Sequence, residues 1–397
     1  MVTPHLHKQL ARGIAGILNE RRHGDRVIER MLRPLPLHAP QRALVAETVY
    51  GVVRHLRRLF WALGKQEAFD LEHIGACIRA WWVLHEVPLP PTLRRGIPPR
   101  QQLLARWEHP PSRAVRYSIP DWLDQYGAAQ CAERWEAILA SLNKPPQLVL
   151  RTNTLQTSRS ELVRLLENSG IAATAHPFAP EAILLERYAN VFALEPFHAG
   201  MFEMQDAASQ AMAHILDPAP GMRVVDACAG SGGKTLHLAA LMQNKGKIIA
   251  LDIAAWKLTE LRRRAARAGV SIIETRPITS TKTIKRLDGT AERLLLDLPC
   301  SGSGVWRRNP DGKWHLGPED LPRLQTQQRD IVQRYLSMLA PGGRVLLCTC
   351  SIFPDEGERH LEWLVQRCPQ MRMLAHGRFD PAEHSTDGFF WALLLRE

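Results

Sequence analysis

Between residues 41 and 64 (QRALVAETVYGVVRHLRRLFWALG) apolar side chains recur three and four positions apart, along one stripe of a helix, and Arg54, Arg57 and Arg58 add charge within about one turn. The same period runs through most of residues 1–85. From Pro88 to Pro111 it breaks into VPLPPTLRRGIPPR and then EHPP. Proline cannot continue a helix, so this stretch reads as a linker or boundary. SIPDWLDQYG then opens a helical segment to about Leu142. Next, QLVLRTNTL reads as a strand, SRSELVRLLENSG as a capped helix and AILLE as another strand, a small α+β unit that ends near Gly200.

From Met201 short apolar runs alternate with helical patterns. The strand candidates are RVVDAC (223–228), KIIALD (247–252), SIIET (271–275), RLLLDL (293–298) and RVLLCTC (344–350). Between them lie KTLHLAALM, AWKLTELRRRAARAG and LPRLQTQQRDIVQRYLSMLA, and the tail segments MRMLAHGRF and GFFWALLLRE form a final pair of strands. This alternation predicts an α/β fold, a mostly parallel, doubly wound Rossmann-like sheet that binds ligands at its strands' carboxyl ends. Three regions result: a helical stretch over 1–110, an α+β unit over 111–200 and the α/β domain over 201–397. No internal repeat or low-complexity segment interrupts them.

Composition sharpens this picture in two places. The 397 residues carry a net charge of +11, and residues 1–114 hold 18 Lys+Arg against 9 Asp+Glu, a difference of +9. Such a basic region suits a polyanion, most simply a nucleic acid, although an Arg-rich helical module kept soluble by its charge gives the same numbers. Charge does not separate RNA from DNA. No run approaches the roughly 20 apolar residues of a membrane span, and the start MVTPHLHKQLARG lacks the apolar core of a secretory signal. The seven cysteines, an odd number with four inside motif-like segments, argue for a reducing cytosol rather than a disulfide framework. A cytoplasmic monomer is the expectation.

The first strand of the α/β domain runs into DACAGSGGKT. Gly230, Gly232 and Gly233 allow a sharp turn and a close backbone approach, and the amides of Cys228, Ala229, Gly230, Ser231, Gly232, Gly233 and Lys234 open a helix that favours an anionic group. The second strand ends at Asp252, 22 residues after Gly230, where a carboxylate accepts ribose hydroxyls. The pattern points to an adenosine-containing cofactor. It is not a phosphate-binding Walker loop, because the position five before Gly233 is Cys228, and a dinucleotide fold lacks its third spaced glycine. A tight strand-to-helix turn without a ligand remains the plain alternative.

Two further strand ends carry cysteines: Cys300 in LDLPCSGSGVWRRNPDGKW and Cys350 in LLCTCSIFPDEGE. Carbon 5 of cytosine is a poor nucleophile. A thiolate added at carbon 6 breaks the ring's aromaticity and lets carbon 5 attack a methyl sulfonium, and cysteine both adds and leaves readily. Asp297 is placed to hold the base, which must be single-stranded or flipped out. Most free cysteines are small buried hydrophobes, a reading that suits Cys77, Cys131, Cys368 and Cys348. The Cys348–Cys350 spacing has no second ligand pair for zinc, so no metal is expected.

QDAASQ (205–210), DACAGSGGKT (226–235), LDLPCSGSGVWRRNPDGKW (296–314) and CTCSIFPDEGE (348–358) stand in the order and form of the Sun (Fmu) family of RNA 5-methylcytosine methyltransferases, which the chain resembles over most of residues 201–397. The segment from PDWL through LRTNTL looks like that family's RNA-binding subdomain, and ALVAETVYGVVRHLRRL is similar to the NusB-like helical extension of its bacterial ribosomal RNA members. The resemblance implies a class I methyltransferase domain using S-adenosylmethionine, with Cys350 as nucleophile and Cys300 assisting product release. It also implies that Cys228 to Lys234 wrap the methionine end of the cofactor, that Asp252 holds the ribose, that Asp297 lies between cofactor and base, and that Arg307, Arg308 and Asp311 shape the RNA side. The partner implied is RNA, ribosomal RNA first and transfer RNA as the alternative.

The chain departs from the family at three points. AGSGGKT replaces AAPGGKT, DLPC replaces DAPC, and Ile278 stands where the family carries an acid near the adenine. Two other functions compete. A DNA cytosine methyltransferase would attack through Cys300, and a non-catalytic RNA-binding assembly factor would keep the fold without the chemistry.

Overall fold

The computed structural model describes residues 2–33 and 39–397, so residues 34–38 of the expected helical region lie outside it. The chain divides into two compact units, Met1–Pro145 with Val305–Leu321, and Pro146–Gly304 with Pro322–Glu397.

The first unit is helical. Thr3 caps the helix Pro4–Glu20 by accepting from Leu6 N–H at 3.1 Å, and Leu6, Leu10, Ile14 and Ile17 form its buried stripe. Helices Ala39–Arg54, Leu56–Leu63 and Leu71–Leu84 close the core around Val49, Leu56, Phe60 and Trp82, whose indole N–H donates to Thr48 Oγ1 at 2.9 Å. The proline-rich stretch expected as a linker carries the helices Pro91–Arg94 and Arg100–Glu108, and it buries Leu93 and Leu103 in this core. Pro90, Pro91 and Pro99 sit where these helices begin, where the missing N–H has no partner to lose. Helices Asp121–Cys131 and Trp135–Leu142 follow. Segment Val305–Leu321 packs here too: Trp314 Nε1 donates to Val53 O at 2.8 Å and Lys313 Nζ to Arg54 O at 2.8 Å.

The second unit holds both sheets. Strands β1 (Leu148–Thr152), β2 (Ala173–Ala175), β3 (Ala182–Leu185) and β4 (Phe202–Met204) form an antiparallel sheet in the order β2-β3-β1-β4. The helix Arg159–Asn168, capped by Ser158, buries Leu162 and Leu166 in this subdomain's core with Leu150, Ile183 and Phe202. Strands β2 and β4 have three residues each, too short to show an alternation in sequence.

Seven strands form the larger sheet: β5 (Arg223–Asp226), β6 (Lys247–Asp252), β7 (Ile273–Pro277), β8 (Ala291–Asp297), β9 (Leu339–Thr349), β10 (Met371–Phe379) and β11 (Phe389–Arg396). Their order is β10-β11-β9-β8-β5-β6-β7. Strands β5 to β9 pair in parallel, and the β10–β11 hairpin joins β9 antiparallel. This is the expected α/β, Rossmann-like arrangement. The chain leaves β5 toward β6 on one side and returns at β8 on the other, so a topological switch lies at the carboxyl ends of β5 and β8, where open α/β sheets place ligands. Both faces are covered, which is why the strands read as continuous apolar runs.

Candidate active site

The residues singled out in the sequence converge at that edge. Gly230 and Gly232 have φ of +55° and +89°, and a Cβ on Gly232 would stand 2.5 Å from Leu261 Cγ, so the turn requires glycine there. Asp252 at the end of β6 accepts from Gly230 N–H at 2.9 Å and from Ala254 N–H at 2.7 Å, which fixes its carboxylate beside the loop with acceptor capacity to spare. The helix Gly233–Leu241 begins directly after the turn. Lys234 Nζ reaches Asp297 Oδ2 at 2.6 Å. Burial alone would pull the Lys234 ammonium down, but the Asp297 carboxylate holds it above its ordinary value. The glycine turn, the tip of β6 and the end of β8 are thus tied into one charged, hydrogen-bonded edge.

The two cysteines meet there. Cys300 Sγ and Cys350 Sγ are 3.4 Å apart, brought together because β8 and β9 are parallel neighbours and their following loops leave on the same side. The neighbouring Cys350 thiol, and then burial, push the Cys300 thiol well up, so Cys300 keeps its proton. Cys348 donates to Asp297 Oδ1 at 3.4 Å, and burial holds its thiol well above the ordinary range. A protonated thiol beside a second thiol, next to a lysine–aspartate pair, can divide nucleophile and proton handling between two sulfurs.

The model of the family of 16S rRNA methyltransferases RsmB/F matches residues 213–395, and the ferredoxin-like domain model of the same proteins matches residues 119–192. A ribosomal RNA small subunit methyltransferase B from Pseudomonas putida is 35% identical over 316 residues, covering 77% of this chain and 72% of that protein. The chain belongs to this family. The corresponding protein of Escherichia coli is 28% identical over 404 residues, covering 90% of this chain and 91% of its own. Among solved structures, PH0851 superposes with a TM-score of 0.84 at 25% identity over 99% of both chains. A methyltransferase homologue from Pyrococcus horikoshii gives 0.65 at 28% identity, covering 72% of this chain and 98% of its own.

In this RsmB/F chain the site rests on residues that neither spacing nor charge marks. Glu356 is fully buried. It accepts from Ser301 N–H and from Gln328 Nε2, both at 2.9 Å, and from the Ser301 hydroxyl, while its backbone oxygen receives the Thr349 hydroxyl at 3.0 Å. Ser303 Oγ and Ser351 Oγ lie 3.1 Å apart, and Gly304 N–H donates to Cys350 O at 2.9 Å. This network holds the Cys300 and Cys350 loops in register. On the cofactor side Arg151 donates to Gly233 O and to Gln205, and Arg264 donates to Ser231 O at 2.8 Å while pairing with Glu203 at 3.0 Å. Both arginines hold backbone carbonyls of the glycine turn. Asn153 Nδ2 donates to Gly200 O at 2.8 Å and to Ala268 O at 2.9 Å, fixing the end of β1 against the larger sheet's helix Ala255–Arg267.

The resemblance implies an RNA-facing role for Arg307, Arg308 and Asp311. Arg307 and Asp311 are buried within the first unit, where Arg307 donates to Ser141 O at 3.0 Å and Asp311 accepts from Gly24 N–H at 3.3 Å. Their side chains anchor their own segment among the helices. Ile278 follows β7, donates its N–H to Asp252 O at 2.9 Å and packs against the apolar cluster that contains Leu251 and Leu298.

Proposed function

We propose that this protein transfers a methyl group from S-adenosylmethionine to carbon 5 of a cytosine in ribosomal RNA, through a covalent adduct between Cys350 and carbon 6 of the base. The observation that carries this reading is the 3.4 Å approach of Cys300 and Cys350 at the edge that also holds the glycine turn and Asp252. The bound cofactor supplies an electrophilic methyl sulfonium. The amides of Cys228, Ala229, Gly230, Ser231, Gly232, Gly233 and Lys234 hold its methionine end, Asp252 holds its ribose, and Asp297, fixed by Lys234, faces both cofactor and base.

Cys350 adds as thiolate to carbon 6, forming the S–C6 bond while the C5–C6 double bond supplies the electron pair with which carbon 5 takes the methyl group from the sulfonium, the broken carbon–sulfur bond leaving its pair on sulfur as a neutral thioether. Once Cys350 is bonded to carbon 6 it no longer raises the Cys300 thiol, and Cys300, its proton released to solvent, takes the carbon 5 proton as thiolate; the C5–H electron pair restores the double bond and expels Cys350 as thiolate. Closing the site from water is left to the flipped base itself. The α+β segment 111–200 and the basic region 1–110 bind the RNA in this reading, and the α/β domain 201–397 does the chemistry in a cytoplasmic monomer. No described helix is long and apolar enough to cross a membrane.

Bisulfite sequencing of small-subunit ribosomal RNA from cells with and without the gene tests the proposal, alongside labelled-methyl transfer to matched RNA and DNA. One protected cytosine that depends on the gene, with transfer to RNA alone, is the expected result. Transfer to DNA, or to no nucleic acid, would reject it.

A further inference from the structure

Away from the active edge, Glu181, His214 and His237 bring three ligating atoms within 4.8 Å of one another. Glu181 lies just before β3, where its backbone oxygen accepts from Thr152 N–H at 2.8 Å. His214 is on the helix Ala207–Leu216 and His237 on the helix Gly233–Leu241 that opens with the cofactor loop. His214 Nε2 is 2.7 Å and His237 Nε2 3.4 Å from the same Glu181 oxygen.

His237 is 1% exposed, yet neither of its ring nitrogens has a hydrogen-bond partner. A buried imidazole with no well-formed hydrogen bond at either nitrogen, only a carboxylate oxygen 3.4 Å from one of them, calls for an explanation. Its Nε2 points at the Glu181 carboxylate, 3.4 Å away.

We propose that Glu181, His214 and His237 form a zinc site. Two imidazoles and one carboxylate are a known tetrahedral set for this ion, with bonds of about 2.0–2.1 Å and therefore ligand atoms about 3.3 Å apart. The Glu181–His237 distance already matches. The Glu181–His214 pair must open by roughly half an ångström on that geometry, which the partly exposed His214 side chain can do, and its open side leaves the fourth position to water. Arg151 is the opposing charge near His237; the Glu181 carboxylate offsets it, and its guanidinium is held by Gln205 and Gly233 O. The other candidate cluster, His23, Asp311 and His315, has its aspartate and one imidazole already bonded to backbone groups and its other histidine at the surface.

Zinc here would fasten the four-stranded sheet to two helices of the larger sheet. His237 stands three residues after Lys234, so the ion would steady the first turns of the cofactor-binding helix. The ligands are 33 and 23 positions apart, which is no recognisable spacing.

The test uses untagged full-length protein, stripped with a chelator and titrated with Co²⁺ and then Zn²⁺. The expected result is visible d–d absorption of one tetrahedral Co²⁺ per chain, displaced by Zn²⁺, and a higher Tm with either ion. His214→Ala, at a partly exposed position that leaves the fold intact, weakens binding at least about tenfold and removes the rise in Tm, and Glu181→Gln does the same. Absent bands in the wild type, bands unchanged in both variants, or a thiolate-to-cobalt charge-transfer band placing the ion on cysteines would each overturn the proposal.

Discussion

The two halves of the active edge are built from different material. The half to which the proposal assigns the cofactor is made of backbone: glycines at positive φ, a helix start, and carbonyls held by Arg151 and Arg264. The half that holds the cysteines is made of side chains: Glu356, Gln328 and three serines fix two loops through a buried network. Backbone sites tolerate any side chain that does not intrude, whereas a network of buried polar groups fails when a single member leaves its partners unsatisfied. The chemistry half should therefore be the more fragile, both in catalysis and in stability.

The largest effect belongs to the two sulfurs. Cys350→Ala removes the nucleophile, so methylation and the covalent intermediate both disappear. Cys300→Ala still attacks and transfers the methyl group, then stalls as a protein–RNA conjugate that survives boiling in detergent and migrates slowly on a denaturing gel. The conjugate accumulates on the natural RNA during expression, which removes the choice of substrate from the experiment. A conjugate with Cys350→Ala and none with Cys300→Ala would exchange the two roles, as in a DNA enzyme, and no conjugate with either would leave the site without this chemistry.

Next comes the network beneath them. Glu356→Ala strips the acceptor from Ser301 N–H, the Ser301 hydroxyl and Gln328 Nε2, and at about 1–3 kcal/mol per orphaned buried group the variant loses roughly 3 kcal/mol or more. Urea unfolding measures this, and single-turnover methylation should fall with it. A Glu356→Ala protein of wild-type stability would show that the cysteine loops are held by something else.

How much of this edge was legible in the sequence follows the same division. Glycines announce a backbone-built turn because few other residues adopt those angles, and acids at strand ends stand out beside it, so residues 228–234, Asp252 and Asp297 could be named from the sequence as candidates, and the structure brings them to one edge. The proximity of Cys300 and Cys350 followed from parallel strands ending at one edge, but the division of labour between them came from family resemblance. Glu356 and Gln328 escaped because a buried glutamate in PDEGE looks like any loop acid, and Arg151 because one arginine in a strand reads as solvent-facing. The proline-rich stretch misled for a related reason: the prolines at 90, 91 and 99 open helices rather than end them.

The backbone half offers a pH test. Asp226 ends β5 fully buried, accepts the Thr235 hydroxyl at 2.7 Å, and burial raises its carboxyl to about 7. Because the folded value lies above the unfolded value of about 3.9, the folded state binds the extra proton between those pH values. Stability is therefore fully present below about pH 4, declines as pH rises toward 7 and is level above it, with a ceiling of about 4 kcal/mol for a shift of this size. Asp226→Asn should gain on the wild type through that window, as followed by Tm against pH. A constant difference between the two would mean that Asp226 keeps its charge in the fold.

A smaller effect falls on the turn. Gly232→Ala forces a Cβ to within 2.5 Å of Leu261 Cγ at a φ of +89°, and a backbone penalty of about 1–2 kcal/mol plus local overpacking gives a loss of about 2–3 kcal/mol. Gly230→Ala, whose Cβ meets nothing within 4 Å, should lose only the backbone part. Equal losses would remove the distinction between the two glycines.

The smallest effect concerns Ile278, where the backbone half lacks a side chain that the family supplies. The family resemblance implies an acid at this position that accepts a hydrogen bond from the adenine amino group, and Ile278 offers only apolar surface. Its N–H to Asp252 O bond keeps the chain in place, so a substitution changes the side chain without moving the strand end. Ile278→Asp should tighten S-adenosylmethionine by about 1 kcal/mol, the net worth of one hydrogen bond. It also gives up contact with the cluster around Leu251 and Leu298, so folding stability should fall slightly while affinity rises. The opposite signs separate a ligand contact from a packing effect, since a change that acted only through packing would lower both. Ile278→Asn provides the control: its side-chain oxygen accepts the same bond without a charge, so it should retain most of the gain. Calorimetry showing unchanged or weaker binding for both variants would mean that this chain holds the adenine by apolar contact alone, and that the cofactor half has adapted around isoleucine.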